Sequence, residues 1–417
     1  MTTLLDQIST LNDLPSTLDG PVLVRVDYNV PLKDGKVADT FRLEMSLPTI
    51  HTLLRRGAPI ILMSHLGRPK GKVVPGLSLR PVAESLSQLL EEKLSSATPS
   101  CDPPQVHFTP QVLGEEVSAR ARELSPGEIL LLENLRFHPG ERANDEEFAR
   151  QLASLAAGYV NDAFSACHRA HASVVGVPQY LPAFAGHQLV REVEALGRVV
   201  EEPARPFAVV LGGAKIADKL PVIQRLVELA DLLLVGGGIA NTMLAARGHS
   251  LGSSLVEEEM VEEAGKIIQQ CLSSHTRLVL PQDLVIAGSP QSTEMEILEG
   301  VEVPEGMMAL DLGPQTINLY QRHLRSARTV FWNGPLGYAE NPLFAGATRA
   351  LTLELHALHE TEVVVGGGDT VSAVREVLKS HPELRKGFFL STGGGASLEF
   401  MAGRELPGLS ALTGEGN

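Results

Sequence analysis

The stretch Val363-Val-Val-Gly-Gly-Gly-Asp-Thr-Val-Ser-Ala-Val374 joins a short apolar run to a glycine triplet and then to residues with helical spacing. A run of β-branched residues predicts a strand that is buried on both faces, as in parallel sheets covered by helices. Glycines between a strand and a helix leave backbone N–H groups at the positive end of the helix, where anions bind. The stretch therefore predicts a strand–turn–helix unit with a ligand at its turn.

The same order recurs along most of the chain. Segments with helical spacing lie between the apolar runs, and this alternation predicts an α/β fold with parallel sheets, whose ligands bind outside the carboxyl ends of the strands. The helical segments are 80–94, 146–157, 219–229 and 257–272. The other apolar runs are 22–26, 60–63, 129–132, 207–211, 232–235, 278–280, 329–332 and 388–390.

Composition and charge exclude several classes of protein. The 417 residues are 43% hydrophobic and 20% charged, which predicts two or three folded domains rather than disorder. The net charge of −15 argues against nucleic-acid binding. No apolar run reaches the roughly 18 residues that span a bilayer, and the first residues lack the basic region of a signal peptide. Three cysteines without a C-x-x-C pair indicate neither a disulfide framework nor a zinc site, so we expect a cytoplasmic protein.

The residues that follow the predicted strands differ between the two halves of the chain. In the second half they are glycine turns, at 212–213, 236–238, 366–368 and 393–395, which suit a nucleotide approaching main-chain amides. In the first half they are polar and basic, and arginine forks suit phosphate and carboxylate groups. These first-half residues are Arg25, Asp27, Asn29, His65, Arg68, Arg136, His168, Arg169 and His171.

A helical stripe of Leu189, Val193, Leu196 and Val200 separates the halves, and Pro203 follows it. We expect the domain boundary at this helix. An ordinary surface helix inside one large domain is the alternative.

Lys215, Lys219 and Asp369 are candidates for a phosphate and metal site. A spacing of four predicts that the two lysines share one face of a starting helix, where they oppose the helix dipole unless an anion binds there. Solvated surface lysines are the alternative. Asp369 suits Mg²⁺, which takes one or two carboxylates together with phosphate oxygens, although it could instead cap the helix that begins at Thr370.

Other templates for catalysis are absent or weak. The sequence contains neither the P-loop pattern nor G-x-G-x-x-G after a strand, so a nucleotide must bind in another way. Cys167 beside His168 is a poor candidate for an activated thiol, because adjacent residues rarely face one another. The histidines lack a spacing typical of metal ligands.

Nine motifs resemble, in order and spacing, those of the phosphoglycerate kinase family, over about residues 23–412. They are RVDYNVPLKDGKVADTFRLEMSLPTI from Arg25, SHLGRPKG from Ser64, LLENLRFHPGE from Leu131, YVNDAFSACHRAH from Tyr159, LGGAKIADK from Leu211, LLLVGGGIANT from Leu232, TVFWNGPLGYAE from Thr329, VVVGGGDTVSAV from Val363 and STGGGASLEF from Ser391.

The resemblance implies reversible phosphoryl transfer between ATP and the carboxylate of 3-phosphoglycerate, giving ADP and 1,3-bisphosphoglycerate, with Mg²⁺ and without a membrane or nucleic-acid partner. It implies a monomer with two Rossmann-like domains and ligands in the cleft between them. Residues 1–187 would bind 3-phosphoglycerate, 188–202 would form a hinge helix, 203–402 would bind the nucleotide, and the tail 403–417 would return to the first domain.

The resemblance also assigns roles by motif position. Arg42, Lys215, Lys219 and Gly394 would be catalytic, and Asp369 would hold the metal. The substrate would be bound by Asp27, Asn29, Arg42, His65, Leu66, Gly67, Arg68, Arg136 and Arg169. The nucleotide would be bound by Lys219, Gly237, Gly238, Asn333, Glu340, Gly367, Gly368, Asp369 and Thr370.

The sequence departs from the family pattern at Tyr28, Ser165, Cys167, Ala309 and Tyr338-Ala339, and none of these changes removes a charged group. Two rivals are a catalytically silent homologue and a different small-molecule kinase. The first would be expected to have lost a basic residue or Asp369, and the second would not need the RVDYN, HLGRP and CHRAH sets together.

Overall fold

Short, fully buried strands form the centres of two parallel sheets in a computed structural model of the chain. The structure describes residues 4–15, 18–95, 104–381 and 387–413, and of residues 94 and 95 it describes only the backbone. The chain divides into two compact units. The first unit comprises Met1–Glu194 and Glu405–Asn417, and the second comprises Ala195–Arg404. This mixed α/β architecture with two parallel sheets confirms the predicted fold class.

The first unit is built on a six-stranded parallel sheet in the order β5-β6-β4-β1-β7-β8. The strands that follow β1 in the chain, β4 to β6, lie on one side of it, and β7 and β8 lie on the other side. β1 is therefore at the topological switch point, where α/β sheets bind ligands. Its strands are β1 Val22–Arg25, β4 Ile60–Met63, β5 Gln105–Phe108, β6 Glu128–Leu131, β7 Gly158–Asn161 and β8 Ala183–Ala185, and β2 Leu32–Lys33 pairs with β3 Lys36–Val37 in a small hairpin.

Helices cover this sheet and bury its apolar side chains. Leu43, Ile50 and Leu53 of α1 pack into the same core as the β1 and β4 side chains. The helices are α1 Phe41–Arg55, α2 Arg80–Ser95, α3 Glu115–Glu123, α4 Pro139–Ala143, α5 Glu146–Ala153, α6 His187–Glu201 and, from the tail, α14 Pro407–Ser410.

The second unit contains another six-stranded parallel sheet, in the order β11-β10-β9-β15-β16-β17. Its strands are β9 Phe207–Leu211, β10 Leu232–Val235, β11 Arg277–Val279, β15 Thr329–Asn333, β16 Glu362–Gly366 and β17 Phe388–Leu390. Its helices are α7 Leu220–Leu229, α8 Gly237–Ala246, α9 Val261–Ser273, α10 Pro314–Leu324, α11 Gly346–Ala357, α12 Gly368–Lys379 and α13 Gly395–Met401. The order switches between β9 and β15, both of which end at glycine turns.

Several strands escaped the sequence prediction. An antiparallel sheet of β12 Leu284–Ala287, β13 Glu296–Leu298 and β14 Met308–Leu312 lies beside the parallel sheet of the second unit. Strands β5 and β8 were also missed, and β7 was expected only from the polar and basic residues that follow it, without bounds. β5 and β8 are edge strands, and all three contain polar or small residues, so they lack the continuous apolar run of a central strand.

The boundary between the units falls inside α6, between Glu194 and Ala195. Leu189, Val193 and Leu196 are buried along one side of this helix as predicted, but Val199 rather than Val200 completes the buried stripe. The described tail packs against the first unit, where the Gly408 N–H donates to the Cys167 carbonyl at 2.9 Å. No described helix is long and apolar enough to cross a membrane.

Candidate functional site

Asp27 and Arg42 belong to the polar groups at the carboxyl end of β1. Arg42, the second residue of α1, donates from Nη1 to Asp27 Oδ2, and Ser165 Oγ donates to the same oxygen at 2.6 Å. Asp27 is buried, whereas about a quarter of the Arg42 side chain is exposed. Arg42 is therefore held in place by an internal carboxylate while its guanidinium stays accessible.

Asn29 and Arg136 hold the turn after β4. The Gly67 N–H donates to Asn29 Oδ1 at 2.9 Å, and Arg136 Nη1 donates to the Gly67 carbonyl at 2.7 Å. Leu66 is fixed by Asn134, which accepts its N–H and donates to its carbonyl. Arg136 Nε is buried without a partner among the described residues, so this arginine retains an unused donor.

His65 is the buried member of the set. Its Nδ1 lies 2.9 Å from Nη2 of Arg25, which is itself buried at the end of β1. Burial, together with Arg25, Arg136 and other nearby arginines, lowers the pKa of His65 well below its usual value, so the ring is neutral at physiological pH.

Two further first-half arginines differ in their setting. Arg68 is exposed, whereas Arg169 is half-buried and donates from Nε to His168 Nε2 at 2.9 Å.

Burial and the neighbouring Arg169 and Arg25 lower the pKa of Arg136 to about 10. Burial and Arg136 lower the pKa of His171 to about 3.

Like charges crowded at the carboxyl ends of four neighbouring strands repel one another until an anion arrives. The first unit thus offers a binding place for a small, multiply charged anion in a protein whose net charge is −15. The structure brings the first-half residues that the sequence singled out to one edge of the sheet, where Arg68 is exposed directly after the Gly67 turn.

Cys167 has no features of a nucleophile. Its thiol is buried, and burial raises its pKa to about 12.

In the second unit, two kinds of glycine turn occur. At Gly212 and Gly238 an added Cβ would lie within 2.2 Å of a backbone carbonyl oxygen, so these glycines allow two turns to pack together. Gly237 has a φ of +60°, and its N–H donates to the Leu336 carbonyl at 2.8 Å. The interpretation that each glycine turn leaves its N–H groups to a ligand is therefore wrong for Gly212, Gly213 and Gly237, whose N–H groups donate to protein carbonyls.

The turns at Gly366–Gly368 and Gly393–Gly395 are more open. A Cβ at Gly368 or Gly394 would meet no described atom within 4 Å. Gly367, at φ +86°, is the N-cap of α12 and has no side chain to satisfy the first N–H groups. Both turns precede helices, so they present the positive helix ends that attract phosphate oxygens.

Lys219 and Lys215 do not share a helical face, which corrects the prediction from their spacing. Pro221 in the first turn of α7 starts the helix at Leu220, and Lys215 precedes it in an exposed loop. Lys219 Nζ donates to the Gly212 carbonyl at 2.6 Å, and burial lowers its pKa to about 8, although Asp369 and Asp218 oppose this shift.

Asn333 and Thr370 lie where β15 meets α12. The Gly334 N–H donates to Thr370 Oγ1 at 2.6 Å, while Asn333 Nδ2 is buried without a described partner. An orphaned amide donor beside open glycine turns fits a phosphate or ribose oxygen.

Asp369 is exposed at the second position of α12 rather than at its N-cap, so the capping alternative is wrong. Among the described residues, no cluster of three or more histidine, cysteine or acidic side chains could hold a metal ion. A single carboxylate beside a phosphate site fits Mg²⁺, which takes most of its ligands from phosphate and water.

Near the departures from the family pattern at Ala309 and Tyr338-Ala339, sequence reasoning missed Asp311. This buried carboxylate accepts the N–H groups of Leu312 and Ala347 and so caps α11 from β14. Burial raises its pKa to about 7. A Cβ at Gly337 would lie 2.4 Å from its Oδ1, so only glycine fits where the turn that carries Tyr338 and the exposed Glu340 passes Asp311.

Known proteins resemble the whole chain. The family model for phosphoglycerate kinase matches residues 11–404. Among curated proteins, the phosphoglycerate kinase of Moorella thermoacetica is 50% identical over 405 residues, which cover 97% of this chain and 98% of that one. That of Desulforudis audaxviator is 50% identical over 393 residues, covering 94% and 95%.

Solved structures agree with this similarity. Phosphoglycerate kinase from Coxiella burnetii is 35% identical with a TM-score of 0.80, covering 97% of this chain and 98% of that one. The Pyrococcus horikoshii enzyme is 29% identical with a TM-score of 0.81, covering 98% and 100%.

Proposed function

The chain belongs to the phosphoglycerate kinase family and transfers a phosphoryl group reversibly between ATP and the carboxylate of 3-phosphoglycerate, and we propose that the first unit binds 3-phosphoglycerate and the second binds the nucleotide. The observation that carries this division is the arginine cluster at the carboxyl ends of β1, β4, β6 and β7. An anion with one phosphate and one carboxylate suits a cluster of guanidinium groups, because each guanidinium can donate two parallel hydrogen bonds to either group.

The acceptor side uses charge and position rather than covalent chemistry. Arg42 exchanges part of its contact with Asp27 for the substrate carboxylate and so orients the attacking oxygen. Asn29, Arg68, Arg136 and Arg169 bind the remaining oxygens. His65, Leu66 and Gly67 shape this end of the site, because the turn that they form is fixed by Asn134 and Arg136.

The nucleotide side combines a half-buried lysine with open turns. Lys219 and the orphaned Asn333 amide bind phosphate oxygens, and Thr370 holds the Gly334 turn between them. Gly237, Gly238 and Glu340 contact the nucleoside, whereas the turns at Gly367, Gly368 and Gly394 offer N–H groups to the phosphates.

No general base is needed, because a carboxylate acceptor is ionised at pH 7. Phosphoryl transfer depends on positioning and on neutralising the charge that spreads over the moving group. Lys215, exposed on the loop after β9, is free to follow that charge, and Gly394 donates its N–H to it.

Asp369 would hold Mg²⁺, which when bound with the nucleotide neutralises the charge on its phosphates. The exposed carboxylate lies close enough to Lys219 to affect its pKa, so both groups belong to one phosphate site.

We further propose the domain limits 1–187, 188–202 and 203–402, with the tail 403–417 belonging to the first domain. The enzyme is a cytoplasmic monomer. The described cysteines, Cys167 and Cys271, are free thiols, which supports a reducing compartment.

A coupled assay of ATP-dependent 1,3-bisphosphoglycerate formation tests the activity, and calorimetry on single variants tests the division of roles. Arg136→Ala should weaken 3-phosphoglycerate binding and leave MgADP binding unchanged. Lys219→Ala should do the reverse. Arg225→Ala, which alters an exposed arginine of α7, is the matched control and should change neither. Loss of both ligands in either test variant, with folding intact, would contradict the proposed division.

A further inference from the structure

Glu141 of α4 is a fully buried carboxylate in the first unit, and the proposed phosphoryl transfer does not use it. Its two oxygens accept hydrogen bonds from a single residue, Ser173. The Ser173 N–H donates to Oε2 at 3.0 Å, and the Ser173 hydroxyl donates to Oε1 at 2.7 Å. Carboxylates are acceptors only, so the direction of both bonds is fixed.

The Ser173 hydroxyl has one proton, which it gives to Glu141, and its lone pairs therefore face its other neighbour. That neighbour is Arg25, whose Nε donates to Ser173 Oγ at 3.0 Å. Arg25 is also held by the Val26 carbonyl, to which Nη1 donates. Glu141 thus sets the polarity of the hydroxyl that anchors the Arg25 guanidinium.

Arg25 in turn determines the protonation pattern of His65. A guanidinium has no acceptor, so the 2.9 Å contact between Arg25 Nη2 and His65 Nδ1 requires an unprotonated Nδ1. The ring is neutral, and its proton must therefore lie on Nε2. Nε2 makes no hydrogen bond to the described part of the chain, which leaves it available to a ligand.

We propose that Glu141 is a positioning residue for the acceptor substrate: through Ser173 and Arg25 it holds His65 as the Nε2–H tautomer, so that the ring donates a hydrogen bond to an oxygen of bound 3-phosphoglycerate. This inference rests on the proposed function of the first unit. It assigns to Glu141 an effect on a substrate that it does not touch.

The charges around Glu141 support this role. The Glu141 carboxylate lies 3.7 Å from His171 Nδ1, which stays neutral because burial and nearby arginines lower its pKa. Glu141 also opposes the lowering of the Arg136 pKa by the other arginines. Among the buried groups of this cluster it therefore supplies a negative charge that holds guanidinium groups together before substrate binds.

Glu141→Gln tests the chain of hydrogen bonds with little change in size. A glutamine has one acceptor oxygen in place of two, and its amide can donate to Ser173 Oγ. The hydroxyl proton of Ser173 is then no longer held on the side away from Arg25, so the hydrogen bond from Arg25 Nε weakens. We expect roughly tenfold weaker 3-phosphoglycerate binding in calorimetry, since one charge-assisted hydrogen bond contributes about this much. MgADP binding should not change.

The tautomer of the His65 ring can be measured separately, and general destabilisation of the protein does not change it. Long-range proton–nitrogen correlation spectra distinguish the protonated from the unprotonated ring nitrogen, and His65→Gln identifies the signal. We expect the Nε2–H pattern in the unaltered protein and a mixture of tautomers in Glu141→Gln.

Asp283→Asn is the matched control. Asp283 is also buried and also accepts the N–H and hydroxyl of one residue, Thr316, together with the Gln315 N–H, but it lies in the second unit, where it precedes β12 and holds the first turn of α10. It should lose stability without changing 3-phosphoglycerate affinity or the His65 spectrum.

Should Glu141→Gln fail to fold, Ser173→Ala breaks the same connection and should show the same two effects. An unchanged His65 spectrum together with unchanged 3-phosphoglycerate affinity, in a folded variant, would overturn the inference. If the unaltered protein itself does not bind 3-phosphoglycerate, the proposed function has failed instead.

Discussion

Among single residues, Arg42 has the most direct part in the proposed chemistry. It is paired with Asp27 but remains partly exposed, so it can turn toward a carboxylate. If it holds the acceptor mainly in the transition state, Arg42→Ala should lower kcat on the order of 10²-fold with folding intact. Steady-state kinetics with Arg55→Ala, an exposed arginine of the same helix, as control would test this. A near-normal kcat with only a raised KM would reduce Arg42 to ground-state binding.

Asp369 is the second residue with a sharp test. Asp369→Asn keeps the size and removes the charge, and since Asp369 does not cap α12, helix stability should change little. MgADP binding should weaken far more than 3-phosphoglycerate binding, because only the former includes the metal. Calorimetry with metal-free ADP is the control, in which the two proteins should differ much less. Equal weakening of both ligands would contradict a metal role.

Among the secondary-structure elements, α6 depends on a carboxylate from β7. Asp162 follows that strand and accepts the Gln188 N–H at 2.8 Å in the first turn of α6. A Cβ at Gly186 would lie 2.2 Å from its Oδ1, so only glycine fits before the helix. Burial raises the pKa of Asp162 to about 7.

This shift predicts a pH dependence with a definite sign. The folded-state pKa of Asp162 lies above the usual value, so the folded state binds the extra proton between about pH 4 and 7 and loses stability as pH rises through that range. Asp162→Asn should remove this contribution, which reaches at most about 1.4 kcal/mol per pH unit. Urea unfolding followed by circular dichroism across this range measures it. Identical slopes of unfolding free energy against pH in both proteins would contradict the assignment.

For the whole molecule, each unit has its own sheet and its own core, so each should respond to its own ligand. A ligand that binds only the folded state stabilises it by about 2.7 kcal/mol at a hundredfold excess over Kd. In hydrogen-exchange mass spectrometry, 3-phosphoglycerate alone should slow exchange in the turns after β1, β4, β6 and β7. MgADP alone should slow exchange at 366–368 and 393–395. Stronger protection of these glycine turns by 3-phosphoglycerate would contradict the division of roles.

Much of this architecture can be predicted from the order of residues. The apolar runs at 60–63, 207–211 and 232–235 became strands with the same bounds, because a strand buried on both faces needs continuous apolar residues. The half-buried edge strand at 388–390 also has the predicted bounds. The polar groups that follow the first-half strands converge because the carboxyl ends of parallel strands lie at the same edge of a sheet. The motifs also identified the family, which the comparisons confirm.

Other features depended on contacts between residues far apart in the chain. No local pattern distinguishes a glycine that packs against a carbonyl, such as Gly238, from an open one, such as Gly368. Pro221 moved the start of α7 past Lys215, and Gly367 took the cap position that Asp369 could have filled.

The buried carboxylates show the limit most clearly. Glu141 meets Ser173 across 32 residues, and Arg25 meets Ser173 across 148. Sequence patterns of period two or near four describe which face of an element is apolar, and they follow from local backbone geometry. The partner of a buried charge follows from which strands become neighbours, so only the tertiary structure decides it.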